Sequence, residues 1–165
     1  MTQRAFVMWP DPRLRTVAEP VGAVTDEIRT LWDDMIETMD AMPGVGLAAP
    51  QIGVMLRVAV VDASDARDRR IRMANPEIID ASSVFNEHDE ASPNLPGFSA
   101  VIRRPRGVAV RFLDETGATA RRDFVGLEAT SVQHQIDHLN GRMYFDRLSK
   151  VKRDMLLRKA RKLRG

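Results

Sequence analysis

Apolar residues recur at helical spacing early in the chain. Between Thr25 and Met42 they form one stripe, which predicts an amphipathic helix. The members of the stripe are Ile28, Leu31, Trp32, Met35, Ile36 and Met39. Thr25 can cap this helix, and the two acids that follow it suit the positive end of a helix dipole. Met42-Pro43-Gly44 predicts where the helix ends.

The middle of the chain has the pattern of short strands. Residues 56–61 are mostly β-branched and apolar, which predicts a buried strand. Residues 71–79 contain Asn75-Pro76, so only the flanks of that segment are expected to pair. Residues 108–113 and 118–124 enclose an Asp-Glu-Thr-Gly turn and predict a hairpin.

Two further helices are expected in the last third of the chain. One runs from Leu127 to Asn140 and stops at Asn140-Gly141. A short extended piece, residues 143–145, then leads to Ser149, a suitable N-cap for a final helix. We therefore predict an α+β fold with mixed or antiparallel sheets around a central helix, plus N-terminal and C-terminal helices. Residues 1–165 are expected to form a single domain.

Composition excludes several classes of protein. The absence of cysteine excludes disulfides, a thiol nucleophile and any cysteine-bound metal. No apolar run approaches the 18 or more residues of a spanning helix, and the first residues lack the apolar stretch of a signal peptide. We expect a cytoplasmic protein without membrane contact.

Positive charge is concentrated at the C-terminus. Residues 150–165 contain eight Lys or Arg residues and one acid, Asp154, whereas the rest of the chain is mildly acidic. Such a segment suits a polyanion, so ribosome or RNA binding through this basic helix is one hypothesis. A solvated helix face is the alternative.

Three segments could carry chemistry. His134 and His138 are four residues apart on the predicted second helix, so both rings can reach one ion, although two structural histidines would look the same. Several of residues 44–51 are small, which lets the backbone approach another group closely, and Gln51 offers an amide at the edge of this loop. Residues 90–97 contain two prolines and predict an ordered loop.

Together these segments resemble the peptide deformylase family. GVGLAAPQIG at 44–53 is similar to the family's first motif, QHQIDHLNG at 133–141 to its third, and residues 90–95 lie where the family has Glu-Gly-Cys-Leu-Ser. The resemblance extends over essentially the whole chain. It implies removal of the formyl group from the N-terminal formyl-methionine of new polypeptides, with a divalent ion, iron or zinc, bound by two histidines and a cysteine.

The resemblance assigns a role to nine residues. The metal positions are His134, His138 and Ser92, the catalytic positions are Gln135, Gln51 and Gly46, and the substrate-binding positions are Val45, Glu90 and Leu127. Thr130 and Ser131 lie where relatives often have apolar residues or a cysteine. The polar pair predicts a less apolar pocket for the substrate side chain.

Three mechanistic positions depart from the family pattern, and Ala91 also replaces a glycine. Ser92 replaces the cysteine ligand, so metal binding should be much weaker. Gln135 replaces the catalytic glutamate, a loss that typically costs about 10²–10⁴ in rate. Pro93 replaces a leucine whose N–H faces the oxyanion.

We therefore predict a member of the family whose hydrolysis is strongly impaired or lost. One alternative is an active metal-dependent deformylase or amidohydrolase with an altered site. The other is a non-catalytic peptide- or ribosome-binding protein. We expect His88, the remaining histidine, to be a solvated loop residue.

Overall fold

The computed structural model describes residues 2–164, which contain three α-helices and seven strands. In chain order they are α1 (Asp26–Ala41), β1 (Gly46–Ala48), β2 (Val58–Val61), β3 (Ile71–Ala81), β4 (Phe85–Glu90), β5 (Ala100–Pro105), β6 (Gly107–Leu113), β7 (Thr119–Val125), α2 (Gly126–Leu139) and α3 (Lys150–Arg164). Five strands form an antiparallel sheet in the order β1-β2-β3-β6-β7, and β4 pairs with β5 in a separate sheet. The predicted α+β class, with antiparallel sheets around a central helix, is confirmed.

The large sheet lies between α1 and α2, and β2 shows why. Val58 and Val60 pack in one apolar cluster with α1, whereas Ala59 and Val61 pack in another with α2. Successive side chains of a strand point to opposite faces, so a strand covered on both faces reads as a continuous apolar run. The sequence Val-Ala-Val-Val follows from this position, and all four residues are buried.

The first helix begins and ends where the sequence predicts. Thr25 Oγ1 accepts a hydrogen bond from the Ile28 N–H over 3.4 Å, so this threonine is the N-cap. The apolar stripe packs against the sheet, and Trp32 donates from Nε1 to the carbonyl of Met73 over 3.2 Å. The stripe and this hydrogen bond fix α1 on its side of the sheet.

Strand β3 changes partner at its irregular centre. Residues 71–74 pair with β2 and residues 74–81 pair with β6, so the prediction that only the flanks pair is confirmed. Asn75 adopts a positive φ of 50°, a region that asparagine tolerates better than most residues. Its side-chain amide bonds both the N–H and the carbonyl of Val21 at 2.8 Å. The irregular residue therefore anchors the N-terminal arm.

Helix α2 is buried although it is not apolar. Every residue from Ala129 to Leu139 is buried, and many of them are polar. Buried polar groups need partners, so a polar helix in the interior indicates a site rather than simple packing. Neither α2 nor any other helix within residues 2–164 has the length and apolarity needed to cross a membrane.

Two expectations for the chain after residue 80 were wrong or incomplete. Residues 143–145 are not extended, because Tyr144–Arg147 forms a 3₁₀ turn. The pairing of β4 with β5 was not predicted, since β4 is mostly polar and has no alternating apolar face. The final helix is confirmed over Lys150–Arg164, and Ser149 Oγ accepts from the Lys152 N–H over 3.3 Å. Gly165, the end of the predicted basic helix, and Met1, the start of the predicted domain, lie outside the described residues.

Candidate active site

A cavity of about 480 Å³ opens beside α2. Its walls come from residues 42–46 with Gln51, from residues 89–93 with 96–98, and from one face of α2. Eight of the nine predicted site residues line it, namely Val45, Gly46, Gln51, Glu90, Ser92, Leu127, His134 and Gln135. The ninth, His138, is buried one turn further along α2. The fold therefore brings the three sequence segments together.

The two histidines of α2 point their outer nitrogens at each other. Their Nε2 atoms are 3.1 Å apart. His134 Nδ1 donates to Glu90 Oε1 over 2.8 Å. Burial, with His134 and Arg104 nearby, holds the pKa of His138 well below its ordinary value. A neutral His138 can share one hydrogen bond with His134 through these two nitrogens.

A buried network of charges fixes the first histidine. Arg104, only 2% exposed, donates to both carboxylate oxygens of Glu90 at 2.7 and 2.9 Å and to Asp137 at 2.9 Å. Arg147 also donates to Asp137. Burial raises the pKa of Glu90, but hydrogen bonds from His134 and Arg104 outweigh this effect and bring it to about 2. Glu90 is therefore an ionised anchor for His134, and both of its oxygens accept hydrogen bonds from Arg104 or His134.

Ser92 is buried, and its hydroxyl is bonded within the loop. Ser92 Oγ donates to Asn94 Oδ1 over 2.8 Å and accepts from the Asn94 N–H over 3.3 Å. The Gln51 amide belongs to the same group, because Nε2 donates to Asn94 Oδ1 over 2.8 Å and Oε1 accepts from the Ala48 N–H over 2.9 Å. Ser92 and Gln51 therefore both donate to Asn94, and all three side chains are uncharged.

Asn94 organises this loop, and sequence reasoning missed it. It is completely buried, and its Nδ2 donates to the carbonyls of Val7 and Gln51 at 2.6 and 3.0 Å. Its own carbonyl accepts from the Trp9 N–H over 2.8 Å. The signal was an asparagine between Pro93 and Pro96, a polar residue that a rigid loop can hold in one position. Asn94 therefore joins the N-terminal arm to the cavity.

Gln135 and Gly46 meet at the cavity wall. A Cβ at position 46 would collide with the Gln135 amide and with the Ser131 hydroxyl, so any larger residue there would displace these side chains. Gln135 is buried, and its Oε1 has no hydrogen-bond partner among the described residues. A carboxamide neither takes nor returns a proton near neutral pH. This side chain can therefore orient a ligand but cannot act as a base.

The outer wall of the cavity mixes apolar and hydroxyl side chains. Val45 and Leu127 are partly exposed, at 38% and 43%, and Ser131 Oγ donates to the Val45 carbonyl over 2.9 Å. Thr130 Oγ1 lies 2.9 Å from Nδ1 of His88. The prediction of a solvated loop position for His88 was wrong, because His88 is a half-buried residue of β4. It contacts the helix that carries the cavity wall.

The donors present do not fit a tightly held iron or zinc ion. Two imidazoles converge, but the Ser92 hydroxyl adds no charge and Glu90 is committed to Arg104 and His134. Over residues 2–164, no group of three or more His, Cys, Asp or Glu side chains is placed to share an ion. A metal role for His134, His138 and Ser92 stays a prediction.

Comparison with known proteins gives one consistent family. The family model described as "Polypeptide deformylase" matches residues 3–154. A peptide deformylase of Rhodopseudomonas palustris strain TIE-1 is 43% identical over 166 residues, covering 98% of this chain and 95% of the relative. One from Cellvibrio japonicus is 43% identical over 154 residues, covering 93% and 91%.

Solved structures give the same result. The crystal structure of a peptide deformylase from Legionella pneumophila has a TM-score of 0.89 at 39% identity, covering 99% of this chain and 96% of that one. The Ehrlichia chaffeensis peptide deformylase in complex with actinonin has a TM-score of 0.91 at 38% identity, covering 98% of each chain. The similarity therefore extends over the whole fold that builds the cavity.

Proposed function

Because this chain belongs to the peptide deformylase family, we propose that its cavity binds the N-terminal end of formyl-methionyl peptides and hydrolyses the formyl amide bond poorly. One observation carries the proposal: two neutral side chains occupy positions to which the resemblance assigns a thiolate and a carboxylate. Ser92 is bonded to Asn94, and Gln135 presents a carboxamide. We place the protein in the cytoplasm, where new polypeptides are made.

The chemistry of amide hydrolysis explains why these two positions matter. A general base must take a proton from the attacking water, and an acid must give one to the leaving amine, a contribution of about 10²–10⁴ in rate. Gln135 can do neither. The amide of Gln51 is bonded to Asn94, and Pro93 has no N–H, so stabilisation of a developing oxyanion is also weaker.

The capacity to bind a peptide end is supported by the shape of the cavity. Gly46 lies in the cavity wall, and Val45 with Leu127 offers apolar surface. Thr130 and Ser131 add hydroxyls to the same wall. The cavity can therefore bind the end of a peptide although it hydrolyses the formyl amide bond slowly.

The first prediction concerns turnover. With a formyl-methionyl peptide and added zinc or iron(II), we expect formate release at least about 10² times slower than in an ordinary enzyme of 1–10³ s⁻¹, because the base is absent. Formate is measured in a coupled assay, with a working deformylase of the family as the reference. Turnover in the ordinary range would overturn the proposal.

A binding assay separates slow chemistry from failure to bind. Leu127→Glu places a charge on the apolar wall and should weaken binding of the formyl-methionyl peptide about tenfold or more. Val125→Glu is the matched control, because Val125 is 68% exposed and lies outside the cavity. Equal effects of the two variants would argue against the cavity as the peptide site.

The alternative is an active amidohydrolase with an altered site. The metal content of the purified protein distinguishes this alternative from the proposed function. One tightly held ion per chain, lost in His134→Ala, would favour that alternative. Loosely held, substoichiometric metal would agree with the donor set seen here.

A second candidate function rests on α3. Its Lys and Arg side chains are mostly exposed, and within the described residues only Lys150 and Arg153 approach a carboxylate, that of Asp154. We propose that the outer face of α3 contacts RNA of the ribosome. Affinity should fall roughly 10- to 100-fold between about 50 and about 200 mM salt, since bound counterions are released.

The RNA contact is tested without deleting the helix. Deletion would expose the cluster that contains Ala160, so charge reversal is cleaner. Arg161→Glu/Lys162→Glu should abolish binding to purified ribosomes in a sedimentation assay. Glu87→Lys/Asp89→Lys, which makes the opposite change on the β4–β5 sheet, should not reduce binding. Salt-insensitive binding would contradict the idea.

A further inference from the structure

A second depression continues from the cavity along α3. It has a volume of about 320 Å³ and lies between β5 and the inner face of α3. Phe98 lines both this depression and the cavity, so the two share a wall. We call the second depression the α3 groove and define it by Phe98, Val101, Lys152, Met155, Leu156 and Lys159.

The helix side of the groove has a definite pattern. Lys152, Met155, Leu156 and Lys159 lie at positions i, i+3, i+4 and i+7, so they share one face of α3. Met155 is 51% exposed, and Val101 on β5 is 58% exposed. The face is therefore an open apolar floor with a cation at each end.

The two cations have no carboxylate of their own. Among residues 2–164, the ion pairs of α3 involve Lys150, Arg153 and Asp154, and neither Lys152 nor Lys159 takes part. Lysines that flank exposed apolar side chains complement a ligand that is both apolar and acidic. A nucleic acid backbone would satisfy the lysines but would leave Met155 and Val101 uncovered.

We infer that the α3 groove binds an extended acidic and apolar peptide segment, the downstream part of a polypeptide whose N-terminus occupies the cavity. The inference rests on the proposed function for the identity of the polypeptide. Seven residues of helix separate the lysines, about 10 Å along the axis. In an extended chain, side chains an even number of positions apart lie on the same face, and four positions span about 13 Å, a distance that two flexible lysine side chains can bridge. The preferred segment therefore has two acidic residues four positions apart, with an apolar residue midway between them on the same face.

The binding test uses a ligand that cannot enter the cavity through a free or formylated end. The probe is an acetylated, amidated, fluorescent peptide with Glu-Ser-Leu-Ser-Glu at its centre, and anisotropy measures its affinity. Replacing both Glu residues with Gln should weaken binding about tenfold, and so should Lys152→Glu/Lys159→Glu. Met155→Asp should also weaken binding, because it makes the floor polar.

The matched control is Arg161→Glu/Lys162→Glu, which makes the same change in charge on α3 outside the groove. It should leave peptide affinity within about twofold. Equal weakening by the two double variants would mean general charge attraction and would overturn the inference. So would displacement of the peptide by a single-stranded RNA whose own binding is lost in Lys152→Glu/Lys159→Glu. Thermal unfolding of each variant shows whether the helix is intact.

A second ligand separates this inference from the proposed function. A formyl-methionyl peptide that continues into the acidic segment should bind at least about tenfold more tightly than the acetylated probe, because one chain occupies both sites. In Leu127→Glu this gain should disappear while the acetylated probe still binds. If the acetylated probe binds but the longer formyl-methionyl peptide binds no more tightly, the proposed function of the cavity is contradicted, whereas peptide binding by the α3 groove is supported. If the formyl-methionyl peptide binds but the acetylated probe does not, the inference that the α3 groove binds a peptide is wrong.

Discussion

The double variant Ser92→Cys/Gln135→Glu is expected to release formate from a formyl-methionyl peptide about 10³ times faster than the natural chain, or more. The carboxylate alone restores a contribution of about 10²–10⁴. The thiolate adds a charged, soft ligand beside His134 and His138, whose facing nitrogens already lie 3.1 Å apart. The single variants should each give much less, since such groups act as a unit.

The measurement combines formate release with metal content per chain. Ser83→Cys/Gln3→Glu is the matched control, because both residues are exposed and lie outside the cavity. It should change neither quantity. Pro93 still lacks an N–H in the double variant, so activity should stay roughly 10²–10³ below an ordinary enzyme until Pro93→Leu is added. If formate release rose neither in Ser92→Cys/Gln135→Glu nor after Pro93→Leu is added, the shape of the cavity would have changed as well as its reactive groups.

Arg104→Met is expected to lower the free energy of unfolding by about 3–5 kcal/mol, the usual effect of removing one partner of a buried ion pair. Glu90 and Asp137 would lose their shared cation in the interior, although His134 and Arg147 would remain. Urea unfolding followed by circular dichroism measures the change. Arg111→Met is the matched control, because its pair with Glu77 is exposed and worth at most about 1 kcal/mol.

The stability that the Glu90–Arg104 pair contributes is expected to decrease at low pH. Glu90 has its pKa lowered from 4.5 to about 2, so its contribution to stability is complete above pH 4.5 and is lost as the pH falls toward 2. The difference in stability between the natural chain and Arg104→Met should therefore narrow across this interval. A second variant, Glu90→Gln/Arg104→Met, should recover part of the loss because it removes both charges. A difference that stays constant down to pH 2 would contradict this account.

Local pattern was sufficient for the elements that bury one clear face. Helix α1 has a stripe and a cap, and the β6–β7 hairpin has a turn between alternating strands, so both lie where predicted. The β4–β5 hairpin could not be found in this way. The inward residues of β4, His88 and Glu90, bond α2 instead of packing in an apolar core, so β4 shows no apolar face in the sequence.

The resemblance in sequence located the cavity, but not the contacts that hold it. Eight of the nine predicted residues line the cavity because motifs record which residue types meet there. Asn94 and Arg104 were missed because their importance comes from distant partners such as Val7 and Asp137. A single sequence carries no sign of such long-range hydrogen bonds, since any buried position could supply the partner.

The link between Asn94 and the N-terminal arm bears on how the protein can be handled. Val7 and Trp9 both bond Asn94, and Asn94 bonds Ser92, so two consecutive contacts join the start of the chain to the cavity. Removal of the first ten residues would take away the carbonyl of Val7 and the N–H of Trp9 that bond Asn94, so truncation at the amino end is expected to shift the loop that carries Ser92. Shortened forms of the chain are therefore unsuitable for comparing formate release between variants.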